Sequence, residues 1–167
     1  MTSTWAGFMQ RIRSYPPGIH ELRPPCSQDR IDVAEREVGK LPNTLLQRLG
    51  YFNGAHLFDA GRGGHMVSLF GISEDPPLPE FEWAPEWTID KFTPAWRAAG
   101  VHRKDDWAIA MFNDGMLILL TGGNRIKKWE TALGEFAPGI MSLDEWLEEL
   151  FDEGDLYLKE AEQDARK

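Results

Sequence analysis

Few side chains in this chain could carry chemistry, and their spacing restricts what they could do. Glu35 lies four residues after Ile31 and three before Val38, on the apolar side of a helical repeat. A carboxylate placed there needs hydrogen-bond donors. Two roles fit: a catalytic acid or ligand, or a structural acceptor that ties down loop amides or a nearby Arg. The second is favoured, because backbone amides are the nearest donors, and it requires Glu35 to be mostly buried. His56, Asp59 and His65 are ligand types, but a fourth partner at helical or hairpin spacing is missing, and His20 and His102 are scattered. No metal and no cofactor are expected. Cys26 is the single cysteine, so neither an internal disulfide nor a thiolate cluster can form. No Gly-x-Ser-x-Gly motif occurs. Gly61-Arg62-Gly63-Gly64 lacks the Lys-Ser or Lys-Thr that completes a phosphate loop. The sequence therefore offers no catalytic residue, and an enzyme built on Glu35 or the histidines is the weakest reading.

Charge and aromatic content point elsewhere. The 167 residues carry a net charge of −9, and residues 144–167 hold ten acidic and three basic side chains, so most of the imbalance sits at one end. A negative protein repels phosphate backbones and anionic membrane surfaces, which argues against nucleic-acid and membrane binding. It attracts and steers a basic protein. Glu80, Phe81, Glu82, Trp83, Glu86 and Trp87 form an acidic-aromatic stretch within a Pro-rich segment, and no Lys or Arg occurs from Gly63 through Asp90. Trp and its neighbours suit an interface with a basic partner. The same rings could instead pack over the sheet as a lid. Trp107, Trp129 and Trp146 fall in regular elements and are expected in the core. The terminal acidic run is expected to face solvent.

The elements that position these residues follow from periodicity and caps. Trp5, Phe8, Met9 and Ile12 predict a short first helix, ended by Pro16-Pro17-Gly18. Ser27 caps a second helix with Ile31, Ala34 and Val38 inward, and Gly39 stops it. Pro42 opens a third helix with Leu45, Leu46, Leu49 and Phe52 buried, closed by Asn53-Gly54. Met66–Phe70 predicts a strand, and residues 90–99 a helix with Pro94 in its first turn. Trp107–Phe112 and Met116–Leu120 flank Asn113-Asp114-Gly115, a strong hairpin signal, and Arg125–Glu130 adds a third strand. Ser142-Leu143-Asp144-Glu145 reads as a capping box opening the last helix. Helices first, an antiparallel meander next and a helix last predict an α+β fold, a central antiparallel sheet flanked by N-terminal and C-terminal helices. The lone cysteine, the absence of a membrane-length apolar run and the early charges Arg11 and Arg13 lead to a cytoplasmic expectation.

Ile31-Asp32-Val33-Ala34-Glu35, Val38-Gly39, Leu41-Pro42, Leu45-Leu46, Leu49 and Asn53-Gly54 follow one another in an order that resembles the opening signature of the SUKH superfamily. That group includes fungal cell-wall-assembly regulators and many bacterial immunity proteins. Ser142-Leu143-Asp144-Glu145-Trp146-Leu147 resembles its closing helix. The likeness divides the chain into an N-terminal helix and Pro-rich lead-in (1–26), a SUKH-like domain (27–153) and an acidic tail (154–167). It also marks residues 73–90 as a Pro/Trp-rich insertion longer than the family core requires. The resemblance implies a non-catalytic protein-binding domain, an immunity protein that neutralises a bacterial toxin. Its alternative is a regulatory scaffold like the fungal relatives. Within this likeness, Glu35, Gly39, Leu41, Pro42, Asn53 and Gly54 are structural motif positions.

Overall fold

In a computed structural model, residues 3–61, 64–74, 88–99 and 105–167 are described. Ser3 caps α1 (Thr4–Ile12) by accepting the Ala6 amide, and Trp5, Phe8 and Ile12 point into the core. Helix α2 (Gln28–Val38) starts at Ser27, buries Ile31, Ala34 and Val38, and stops at Gly39, whose φ of 90° favours glycine. Helix α3 (Asn43–Leu49) begins one residue later than expected, with Pro42 at its cap, and ends before Phe52. The Tyr51 and Phe52 amides close back onto the Arg48 carbonyl and lay Phe52 into the core. Asn53-Gly54 therefore does not terminate the helix; it works on the loop described below.

The strands are β1 (His20–Leu22), β2 (Ala55–Asp59), β3 (His65–Leu69), β4 (Trp107–Phe112), β5 (Met116–Thr121), β6 (Arg125–Glu130), β7 (Glu135–Phe136) and β8 (Met141–Ser142). Among the described residues they form one antiparallel sheet in the order β1 to β7, with β8 also paired to β6. Asn113-Asp114-Gly115 makes the β4–β5 turn as predicted, with Gly115 at a φ of 92° and the Asp114 carboxylate accepting the Met116 amide. The fold is α+β, with helices at both ends of the chain flanking the sheet.

Helix α4 (Ile89–Ala98) and helix α5 (Leu143–Ala165) lie on opposite faces. Neighbouring strand residues point to opposite sides, and Lys128 pairs with Glu149 of α5 while Trp129 meets Trp96 of α4. Pro94 falls at the sixth position of α4, in its second turn and not its first. The capping box of α5 is complete, since the Ser142 hydroxyl accepts the Glu145 amide and the Glu145 carboxylate accepts the Ser142 amide. Helix α5 runs unbroken through Gly154, across the boundary expected between domain and tail. Helix α1, from the expected lead-in, packs in the same core, with Phe8 5.5 Å from Phe151 and stacked on Phe52.

Candidate interaction surface

The motif residues are engaged in holding the fold. The Glu35 side chain keeps 9% of its exposure and bonds to the ammonium of Lys40 at 2.6 Å. Its other oxygen accepts the Leu41 amide at 3.0 Å. Both bonds, the Lys40 one first, favour the carboxylate form and lower its pKa. This geometry is a lock on the turn between α2 and α3, and it leads Leu41 into the core. Asn53 is fully buried. Its carbonyl accepts the Ile72 amide at 2.6 Å, and its amide group donates to the Ile72 carbonyl at 2.9 Å and to Glu74 at 2.7 Å. Gly54 has no room for a side chain: a Cβ would stand 2.9 Å from the Gly71 nitrogen and the Leu69 carbonyl oxygen. Asn-Gly here lets two backbones cross closely and pins the chain after β3.

That pinned stretch is one end of the acidic-aromatic segment. Glu80, Phe81, Glu82, Trp83, Glu86 and Trp87, the partner-binding residues expected from sequence, lie outside the described residues. The flanks on either side of 75–87 are joined. The Asp90 carboxylate accepts the Ser73 amide at 2.9 Å and the Ser73 hydroxyl, the Ile89 amide bonds to the Gly71 carbonyl, and Arg30 donates to the Ser73 carbonyl.

Strand register places one residue from each of β1 to β7 in a single row across the α4 face: Glu21, His56, Ser68, Met111, Leu117, Trp129 and Phe136. The row has a polar end and an aromatic end.

At the polar end the Ser68 hydroxyl lies between two imidazoles, 3.0 Å from His56 Nδ1 and 2.9 Å from His65 Nε2, and the ring centroids are 4.0 Å apart. The hydroxyl has one proton to give, so one ring accepts it and the other donates to the oxygen. Burial pushes His56 down to about 4, helped by the charges of His65 and Arg23, and burial also lowers His65. The Asp59 carboxylate faces its own loop, where one oxygen accepts the Gly61 amide at 2.6 Å. Among the described residues no three His, Cys, Asp or Glu side chains are grouped to hold a metal ion. Cys26 is buried, and burial raises its thiol to about 11, away from the reactive thiolate.

At the aromatic end, Trp96 of α4 meets Trp129 edge-on at 5.2 Å, and Trp129 meets Phe136 edge-on at 4.8 Å. Trp129 was expected in the core but is half-buried, because its row leads out to the sheet edge at β7. Trp107 and Trp146 are buried as expected. Leu133, Phe136 and Ile140 keep 65, 37 and 52% exposure along this edge. Glu130 and Glu135 pair across it, and the Lys127 ammonium stands 5.5 Å from the Phe136 ring.

Scanned against models of known protein families, the chain matches none. No curated protein matches it either. Among the described residues no helix is long and apolar enough to cross a membrane.

Sequence reasoning missed Arg48, although it lies three residues after Leu45 and four before Phe52, the same signal that singled out Glu35. The guanidinium is fully buried, donates to the Phe70 carbonyl, and is lowered to about 10 by burial. The row of side chains was also missed, since it depends on register, which a sequence does not display.

Proposed function

We propose that this chain is a non-catalytic protein-binding domain, an immunity protein that neutralises a bacterial toxin by occupying its surface. The observation that carries the reading is the aromatic run from Trp96 through Trp129 to Phe136. It surfaces at a sheet edge beside exposed Leu133 and Ile140, and Glu130 and Glu135 occupy the next register position on the other face of that edge. Aromatic anchors within apolar surface, rimmed by charge, are the composition of an interface centre. The net charge of −9 adds attraction toward a basic partner. The motif residues support the same reading, since Glu35, Asn53 and Gly54 hold loops and cross backbones. The order of motifs that resembles the SUKH superfamily supplies the toxin class. The test is growth rescue. The gene directly upstream of this one is expressed in a sensitive host with and without this chain. Toxicity relieved by the chain supports the proposal, and a harmless upstream product or undiminished toxicity refutes it.

A further inference from the structure

Helices α1 and α5 leave a groove between them of about 380 Å³, on the sheet face opposite the histidine–tryptophan row. Thr4, Gly7 and Arg11 line one wall, spaced so as to share one side of α1; Leu147, Glu148 and Phe151 line the other. Two bonds bridge it, Thr4 to Asp144 at 2.8 Å and Arg11 to Glu148 at 2.8 Å. The floor is apolar, made of Phe8, Leu147 and Phe151, all buried, and the Arg11 guanidinium lies over the Phe151 ring at 4.3 Å, leaving Phe8 and Leu147 beside Gly7.

Gly7 sets the depth of this groove. It lies inside α1, where glycine is destabilising by about 0.5–1 kcal/mol relative to alanine. Among the described residues no close packing accounts for it, because a Cβ on Gly7 would meet none of their atoms within 4 Å. A glycine that the fold does not require keeps the space open. The rim is negative: Asp144, Glu145 and Glu148 stand against Arg11 alone. Asp144 and Glu148 each commit one carboxylate oxygen to a bridge, and Glu145 commits one to the Ser142 amide, so each has a second oxygen able to accept.

We infer that this groove takes a basic side chain, Arg or Lys, from a segment of the partner protein, with the aliphatic stem lying over Gly7 on the apolar floor and the charged head among the carboxylates. Long basic side chains bury their stems and keep their heads at polar groups in this way. The groove is a second contact, distinct from the β7 edge. It rests on the protein-binding reading and adds the chemistry of the partner's contact.

The test uses the full chain, isotope-labelled, titrated at low salt with a synthetic peptide of alternating arginine and leucine. Its glutamate–leucine counterpart is the control. The basic peptide alone should shift the amide signals of Gly7, Leu147, Glu148 and Phe151. Gly7→Met, which fills the groove, should weaken binding about tenfold while melting no lower than the parent. Should Gly7→Met melt lower, Glu148→Gln replaces it and should also weaken binding. The inference is overturned by shifts centred on Glu160 to Asp164, by equal shifts from the acidic peptide, by unchanged affinity in the variants, or by no binding. Growth rescue from the upstream gene product is read with the parent chain and the peptide titration needs no partner protein, so either result can fail alone.

Discussion

The Phe58 ring occupies the place where a side chain on Gly154 would begin: a Cβ there would stand 2.3 Å from the ring carbons. Phe58 holds a φ of 59°, rare for a bulky residue, and its ring also meets Tyr15, His20 and Phe151. Helix α5 crosses β2 at this point, and only glycine lets it come so close. Gly154→Ala should therefore destabilise the protein by about 1–3 kcal/mol in chemical denaturation, in spite of alanine's better helix propensity. Gly7→Ala, with open space around it, should stabilise by about 0.5–1 kcal/mol. Equal effects at the two positions would contradict this account of the glycines.

Glu35 should behave as a turn lock. Glu35→Ala removes the acceptor of the Leu41 amide and should cost about 1 kcal/mol. Glu35→Gln keeps an acceptor and should cost less. Lys40→Ala should change stability little, because Lys40 is 90% exposed. Urea titrations of the three variants check the order, and a Lys40→Ala loss as large as that of Glu35→Ala would show that the ion pair, not the amide bond, matters.

Much of this architecture was legible because it is written locally. Ser27, the Ser142 to Glu145 box and Asn113-Asp114-Gly115 each act on amides within a few residues, so type and spacing suffice. Strands β1 and β2 were not foreseen. The first has three residues, and in the second Leu57 and Phe58 are both buried because the positive φ at Phe58 breaks the alternation. Residues beyond Gly154 read as a polar tail, either an exposed continuation of the helix or frayed; the helix continues, and the packing against Phe58 shows why a glycine lies inside it. Asn53 read as helix punctuation, while its partners Ile72 and Glu74 lie some twenty residues away. The candidate edge was the least legible part: Phe136, and the segments that carry Leu133 and Ile140, are brought to it by the pairing of β7 and β8 with β6, not through a motif.

Stability should fall on mild acidification. Burial is the main cause that pushes His20 and His56 down to about 4, and it also lowers His65. As pH falls below the ordinary histidine value near 6.5, the unfolded chain takes up protons that the folded chain refuses. The histidine contribution is therefore complete above about pH 6.5 and is lost progressively toward pH 4. Glu153, whose carboxyl burial raises, takes up its proton first in the folded state and opposes the three histidines in part, while the lowered carboxyls of Glu35 and Glu145 continue the decline at lower pH. Urea midpoints measured from neutral pH downward should drop across this window; a flat or rising midpoint would contradict it.

Arg48 tests how a buried cation is tolerated. Among the described residues its Nε and Nη1 have no hydrogen-bond partner, and its guanidinium lies 5.8 Å from the Trp5 ring and 5.7 Å from the Phe52 ring. Arg48→Met removes a desolvated charge at similar volume and should alter stability by no more than about 1 kcal/mol. Arg48→Ala also opens a cavity and should cost about 3 kcal/mol. Equal losses in denaturant titrations would show that the bond to the Phe70 carbonyl, not packing, sets the cost.

Calorimetric titration of the upstream gene product into this chain tests the binding role most directly, with a Leu133→Ser, Phe136→Ser, Ile140→Ser variant alongside. The account predicts a stoichiometric complex whose affinity drops at least about tenfold in the variant, since exposed anchors carry interface energy, with the fold intact. No complex with the parent chain, or one that binds the variant equally well, would contradict it.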